Sequence, residues 1–297
     1  MQNKEKVQQK FNLNQNNVGI VYSATIVAYF LLTLIVNMLV SFIPMSEFLK
    51  RFVLSFCSII ALSIVIILFG VKADGKWTDN LSVKKFKPIY LIHIIFVLLS
   101  MFFGLGLLNG FVAKIFHIES SPLVINSTLE YLAFVVSLCI LPAIVEEIFF
   151  RGMIQKALQP FGVFFSIFIT ALLFSLYHFS ITQLLYQFVF GVLFSGIYYL
   201  SKSVIPGIIL HFLNNFLVLT LTFFKLEEVI NSWLIQVGVI VAGCLMLSAF
   251  IVFGIIKIIK KREEHVIDKK AKRDFFIYSL MGVLVSLVFI IMGAIPK

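Results

Sequence analysis

The chain has 297 residues, of which 61% are hydrophobic and only 13% are charged, and its mean hydropathy is +1.06. This composition is far more apolar than that of a soluble domain, and it predicts a polytopic membrane protein. The net charge of +10 does not indicate nucleic-acid binding. The lysines and arginines fall in short segments between apolar runs, where such charges set topology in the lipid bilayer.

A polar tail begins the chain and is followed by apolar runs that are each near the ~20 residues needed to cross a bilayer. The tail is followed by no cleavage signal, so we interpret it as an uncleaved, cytoplasmic N-terminus. The apolar runs lie at 18–43, 50–71, 88–113, 127–150, 161–181, 183–200, 204–224, 232–256 and 275–295. The predicted fold class is therefore an all-α polytopic membrane protein with about eight to nine transmembrane helices.

We divide the chain into the tail 1–17, N-terminal transmembrane helices over 18–124, a catalytic core over 125–225 and C-terminal helices over 226–297. With the N-terminus inside, the lysine-rich loop 72–87 and Lys202 fall on the cytoplasmic side, in agreement with the positive-inside rule. The basic segment from Lys257 to Arg273 is expected on the same side. That segment is suited to contact a protein partner or anionic lipid.

One stretch, 145–152, places two carboxylates and a guanidinium in a helix that is otherwise apolar. A charge at the centre of a membrane helix costs about 3 kcal/mol on insertion scales, so such residues indicate a functional site. Glu147 and Arg151 stand four residues apart, with the acid N-terminal to the base, and are predicted to pair. Glu146 is rotated about 100° from that pair and is expected to meet a group from another helix.

Two of the five histidines lie inside apolar helices beside other hydrogen-bonding side chains. His178 lies towards the end of the fifth apolar run, and His211 lies early in the seventh, where it shares a helix face with Asn215. His93 has no polar residue at helical spacing, so we interpret it as a packing residue. His178 and His211 are therefore the candidates for chemistry.

Helix geometry predicts that these groups share one layer of the bundle. If the helix of Glu146 continues to Pro160, Glu146 lies roughly 20 Å from the cytoplasmic turn at a rise of ~1.5 Å per residue. His178 then lies roughly 25 Å along the returning helix. His211 and Asn215 lie roughly 13 Å and 20 Å from the cytoplasmic end of theirs. These depths agree within the variation of helix tilts and ends.

This set of groups is suited to activating water. A carboxylate and an imidazole hold and deprotonate a water molecule, and a second imidazole with an amide stabilises the oxyanion that forms when the water attacks an amide carbonyl. Glu146, His178 and His211 would also make a zinc ligand set with water in the open position. The sequence has no HExxH helix, so a zincin of the soluble type is not supported.

Three motifs in this order, each in a membrane helix, resemble those of the CPBP family of intramembrane proteases, also called the CAAX protease and bacteriocin-processing or Abi family. The motifs are Glu-Glu-x-x-x-Arg at Glu146, Glu147 and Arg151, Phe-x-x-x-His at Phe174 and His178, and His-x-x-x-Asn at His211 and Asn215. The resemblance covers roughly residues 125–225. It implies proteolysis within the membrane, with prenylated CAAX proteins as substrates of eukaryotic members and peptide processing or bacteriocin self-immunity in bacterial ones.

The resemblance also implies roles for single residues. Glu146 would activate water together with His178, while His211 and Asn215 would stabilise the oxyanion. The family is described as metalloproteases, so one divalent metal, most readily zinc, is implied as a cofactor. The residues in supporting roles would be Glu147, Arg151 and Phe174.

Three alternatives stay open at this point. The first is a polar network that only fixes helix packing, without catalysis. Two carboxylates with a single arginine are more charge than such packing requires. A proton-coupled transporter would carry its relay groups across the bilayer, whereas here they cluster in one stretch. A non-catalytic regulator or immunity protein would act through a membrane partner. We expect a protease of a bacterial cytoplasmic membrane, whose peptide or protein-tail substrate reaches the bundle laterally or from the cytoplasm.

Overall fold

The computed structural model describes residues 13–100, 112–118, 123–226, 254 and 267–294, and the regular structure in these ranges is helical. Six of the helices in the described part are long and apolar enough to cross a membrane. The prediction of an all-α integral membrane protein is thus confirmed. The total of eight to nine helices stays a prediction. The tail 1–12, the apolar run 232–253 and the basic residues 255–266 lie outside the described ranges.

Apart from a short helix at Trp77–Asn80, the described helices overlap the predicted apolar runs, and the helix that begins at Thr128 continues to Phe161, beyond the predicted end of its run at 150. The helix Val163–Tyr177 has 15 residues and is therefore shorter than the ~20 residues that a helix needs to span a bilayer. Numbered in chain order, the helices are α1 (Val18–Ser41), α2 (Glu47–Val71), α3 (Trp77–Asn80), α4 (Ile89–Ser100), α5 (Thr128–Phe161), α6 (Val163–Tyr177), α7 (Ile181–Ser201), α8 (Ile205–Phe223) and α9 (Lys269–Ala294).

Local sequence signals set the ends of α5, the helix with the two glutamates. Ser127 caps its first turn by accepting a hydrogen bond from the backbone N–H of Glu130 at 3.2 Å, and the carboxylate of Glu130 is favourable at a helix N-terminus. At its other end Gly162 has φ +109°, a backbone conformation that glycine adopts without strain. The helix therefore continues to the predicted turn after Pro160 and reverses there into α6.

Helix α5 is not a regular α-helix throughout. It is π-helical over Val135–Ile140 and again over Ile148–Gln155, and such bulges are frequent at functional sites. Pro142 follows the first bulge and has no N–H to donate to the turn before it. The side-chain amide of Asn215 on α8 donates to the carbonyl of Leu138 at 3.0 Å. A residue of α8 thus bonds the α5 backbone where the helix is irregular.

The site helices pack around α5, which contacts α2, α6, α7 and α8. Small residues permit the closest approaches. A Cβ atom on Gly191 of α7 would lie 2.8 Å from the Cα of Ala171 on α6, and one on Gly207 of α8 would lie 2.7 Å from a carboxylate oxygen of Glu147. These glycines bring two helix pairs close enough to bury polar side chains between them.

We call the end of the bundle with the loop 72–88, the turn at Gly162 and Lys202 the basic end. Here the backbone of Leu81 rests against α5, because a Cβ atom on Gly152 would lie 2.5 Å from the Leu81 carbonyl oxygen. The next residue, Ser82, accepts a hydrogen bond from the N–H of Val204 at 3.1 Å. We call the other end, where α5 and α7 begin and α8 ends, the opposite end.

Candidate active site

Glu147 and Arg151 form a fully buried ion pair on α5. Both side chains have no exposed surface, and Nη1 of Arg151 lies 2.8 Å from Oε1 of Glu147. The guanidinium also stacks over the rings of Phe174 and Phe194, at 4.3 and 5.0 Å from their centroids. The predicted pair at i, i+4 is confirmed, and the two aromatic faces supply further stabilisation of the cation in the interior.

His211 lies between the two glutamates. Its Nδ1 atom is 3.1 Å from Oε1 of Glu147, and its Nε2 atom is 4.0 Å from Oε2 of Glu146. An ionised carboxylate only accepts hydrogen bonds, so Nδ1 carries the proton that bonds Glu147. The partner that the sequence required for Glu146 is therefore an imidazole of α8. Nε2 is the nitrogen that His211 presents to Glu146.

Gly207 sets how closely α8 approaches this carboxylate pair. It lies in the first turn of α8, which begins at Ile205, and the space that a Cβ atom would need is taken by the Glu147 carboxylate. The N-terminal end of a helix carries partial positive charge. Glu147 thus has three stabilising neighbours, namely a guanidinium, an imidazole and a helix N-terminus.

His178 ends α6, and its orientation is fixed by its own helix. Nδ1 lies 2.8 Å from the carbonyl oxygen of Phe174. Because a carbonyl only accepts, Nδ1 donates and Nε2 is left as a hydrogen-bond acceptor. The ring centroid of Phe174 lies 4.7 Å from that of His178 and 6.1 Å from that of His211. Phe174 therefore packs between the two predicted catalytic histidines, in keeping with its predicted supporting role.

Two asparagines, not one, stand at the next turn of α8. Asn214 is buried, its Oδ1 accepts a hydrogen bond from the hydroxyl of Tyr186 at 3.0 Å, and its Nδ2 donates to Oδ1 of Asn215 at 3.3 Å. The amide of Asn215 in turn bonds the α5 backbone. The sequence analysis missed Asn214 and Tyr186. The doublet of amides in an apolar helix was a signal, but spacing alone favoured only Asn215.

A cavity of about 630 Å³ joins most of these groups. The predicted residues that line it are Glu146, His178, His211 and Asn215, and Asn214 and Tyr186 line it as well. Oε2 of Glu146 is buried and has no hydrogen-bond partner among the described residues. Glu147, Arg151 and Phe174 do not line the cavity. The predicted catalytic residues thus line the cavity, whereas the predicted supporting residues Glu147, Arg151 and Phe174 form a packed layer behind it.

The donor set does not assemble a metal site in this conformation. Among the described residues, no three His, Cys, Asp or Glu side chains meet in an arrangement that would hold a metal ion. Nε2 of His211 and Oε2 of Glu146 are neighbours, but His178 does not complete a three-ligand cluster with them. Zinc at Glu146, His178 and His211 therefore stays a prediction.

Comparison with known families gives one match. Residues 128–217 match the family model described as type II CAAX prenyl endopeptidase Rce1-like. The matched segment begins with α5, ends within α8 and contains every predicted site residue, and it lies inside the core predicted over 125–225. No curated protein and no solved structure matches the chain.

Proposed function

Since residues 128–217 carry an Rce1-like domain of the CAAX protease family, we propose that this integral membrane protein is an endopeptidase that hydrolyses a peptide bond of a membrane-associated peptide or protein tail. Processing of a peptide or self-immunity to a bacteriocin, in a bacterial cytoplasmic membrane, is the cellular role that the family resemblance implies.

One observation carries the proposal: Glu146 lines the same cavity as two imidazoles, and its contact with Nε2 of His211, at 4.0 Å, is longer than a hydrogen bond. The adjacent Glu147 instead has close contacts through Oε1, with Arg151 at 2.8 Å and His211 at 3.1 Å, and does not line the cavity. Because Glu146 and His178 line the same cavity, a water held between its carboxylate and Nε2 of His178 would be in reach of a general base. The cavity is large enough to hold an extended peptide segment beside that water.

The proposed reaction moves one proton through Glu146. The carboxylate takes a proton from water while the water oxygen bonds the carbonyl carbon of the substrate. His178, whose Nδ1–H is held by the Phe174 carbonyl, accepts the second hydrogen of that water and so orients it. When the C–N bond breaks, Glu146 returns its proton to the leaving amine, so the site regains its starting state.

His211 and the asparagine pair face the oxyanion of the tetrahedral intermediate. To donate to the oxyanion, His211 needs a proton on Nε2 in addition to the one on Nδ1 that bonds Glu147. The amides of Asn214 and Asn215 each have a second N–H beyond those in the bonds described above, which supplies a further donor.

The test is cleavage of membrane-presented peptides by purified wild-type protein and by Glu146→Ala, His178→Ala and His211→Ala, with folding of each variant checked in detergent. Loss of activity by a factor of about a hundred or more in folded variants supports the proposal, because general-base and oxyanion groups contribute that much. If no peptide is cut and the variants keep the protein's cellular effect, a non-catalytic regulator replaces it. Metal content of wild type and His211→Ala, measured by mass spectrometry, tests the predicted zinc.

A further inference from the structure

The cavity extends from the catalytic layer in one direction only. Its described lining lies at 137–146 of α5, 183–187 of α7, 211–222 of α8, at Ser55 and Ser58 of α2, and at Leu123 and His178. On every one of these helices, the lining runs from the level of Glu146 and His211 towards the opposite end. It reaches the first turn of α7 and the last turn of α8.

On the other side of Glu146 the bundle is closed by buried polar contacts. Arg151 and Gln155 of α5 are fully buried, and both bond backbone carbonyls of α7, with Nη2 of Arg151 3.4 Å from Gly191 O and Nε2 of Gln155 2.9 Å from Ser195 O. These contacts join α5 to α7 across the space that a channel to the basic end would need.

The segment 79–84 covers the basic end itself. Lys156 of α5 donates to the carbonyl of Asp79 at 2.6 Å, and the hydroxyl of Ser203 donates to the carbonyl of Lys84 at 2.6 Å. Between these two bonds Leu81 is buried. A second cavity, of about 620 Å³, lies near this end, but its lining on α5 is confined to 152–160 and includes no predicted catalytic residue. It is therefore separate from the site.

The wall of the catalytic cavity combines apolar side chains with many polar ones, and in its described part the polar ones are uncharged apart from Glu146 and the histidines. Its side chains include the hydroxyls of Ser55, Ser58 and Ser137 and the amides of Gln183 and Gln187. Oγ of Ser137 and Oε1 of Gln187 are buried and have no hydrogen-bond partner among the described residues. Groups of this kind are satisfied by the N–H and C=O groups of an extended polypeptide.

We propose that the substrate is a polypeptide segment presented at the opposite end of the bundle, which is the extracytoplasmic face if the N-terminus lies inside, and that Ser137 and Gln187 bind its backbone. This inference rests on the proposed protease function for the cleavage step only. It differs from the route expected from the sequence, which was lateral or cytoplasmic, because the tertiary contacts close the basic end.

Accessibility to a membrane-impermeant maleimide tests the route without any substrate. In a background with Cys57, Cys139 and Cys244 changed to serine, Thr222→Cys places a thiol at the cavity end of α8, and Lys85→Cys places one on the exposed surface of the basic end. We expect Thr222→Cys to react in intact cells and Lys85→Cys to react only after permeabilisation. The reverse pattern, or no reaction of Thr222→Cys from either face, overturns the proposal.

Cleavage is then measured for the same two variants in detergent with a peptide that the wild type cuts. A bulky maleimide on Thr222→Cys is expected to reduce cleavage at least tenfold, whereas the same adduct on Lys85→Cys leaves it unchanged. Equal loss from both adducts contradicts entry at the opposite end. If the unmodified enzyme cuts no peptide in detergent, it is the protease function that fails, and the labelling pattern still reports which end is open.

Discussion

Glu146 and Glu147 are adjacent in the chain, yet they lie in two different regions of the molecule. Glu147 belongs to a packed layer in which its carboxylate meets Arg151, His211 and the first turn of α8. Glu146 belongs to the cavity, and its contact with Nε2 of His211 is 4.0 Å long. One residue of helical rotation separates a carboxylate that holds the structure from one that is available for chemistry.

This difference suggests how the bundle keeps a reactive carboxylate in its interior. The packed layer neutralises its own acid and, through Nδ1 of His211, fixes the tautomer and direction of the imidazole that faces Glu146. Glu146 itself has no such close pair, because Nε2 of His211 lies 4.0 Å from its Oε2. Substitutions in the packed layer should therefore act first on folding, and substitutions at the cavity first on catalysis.

The largest effect is expected from breaking the packed layer. Arg151→Met leaves the Glu147 carboxylate buried without its cation, and removal of one partner of a buried pair costs about 3–5 kcal/mol. We expect a lower unfolding temperature in detergent and a smaller folded fraction by size exclusion. Glu147→Gln combined with Arg151→Met removes both charges and should recover most of the loss. Wild-type stability of Arg151→Met alone would show that the ion pair is not essential to the layer.

The next effect separates the two glutamates directly. Glu146→Gln keeps the shape of the side chain and removes the base, so peptide cleavage should fall about a hundredfold or more, equivalent to about 2.7 kcal/mol of transition-state stabilisation. Its unfolding temperature should stay near that of wild type. Glu147→Gln should instead lower the unfolding temperature, because Arg151 loses its partner. Equal stability of the two variants would remove the distinction between the layers.

A smaller effect is expected at the contact between α8 and the packed layer. Gly207→Ala places a methyl group against the Glu147 carboxylate, and overpacking of this kind costs about 1–3 kcal/mol. The matched control is Gly196→Ala on α7, where nothing lies within 4 Å of the added Cβ atom. Alanine is the better helix former by about 1 kcal/mol, so that control should be neutral or stabilising. Thermal unfolding of both in one detergent decides the point.

The smallest predicted effect concerns the amide pair at the cavity. Tyr186→Phe removes the hydroxyl that fixes the Asn214 carboxamide, and one hydrogen bond of this kind is worth about 0.5–1.5 kcal/mol. Cleavage should fall about two- to tenfold, in kcat rather than KM. Tyr131→Phe is the control, because its hydroxyl bonds Thr220 of α8 at 2.9 Å without lining the cavity. A similar loss of kcat in both variants would assign Tyr186 to packing.

Much of this site could be predicted from the sequence, because its strongest signals are local. Charged residues in an apolar helix indicate a functional site because placing a charge in the membrane costs free energy. The Glu147–Arg151 pair follows from helical spacing alone. The depth of Glu146 and the two histidines followed from counting residues to turns. The Rce1-like match over 128–217 confirms the family resemblance that these motifs indicated.

The remaining features depend on how helices meet, which spacing within one helix does not report. Helical spacing from His211 favoured Asn215, and only the contacts with Tyr186 and Leu138 show that Asn214 also belongs to the site. In the same way, only the packing shows that His211 bonds Glu147 and faces Glu146.

The sequence by itself determined the helical membrane fold and the identity of the charged layer, since apolar length and helical period are properties of single segments. The tertiary structure alone decided that His211 meets both glutamates, which end of the bundle is closed by 79–84 and where the cavity extends. Those features arise from contacts between residues far apart in the chain, which are fixed by the close approach of helices at positions such as Gly207 and Gly152.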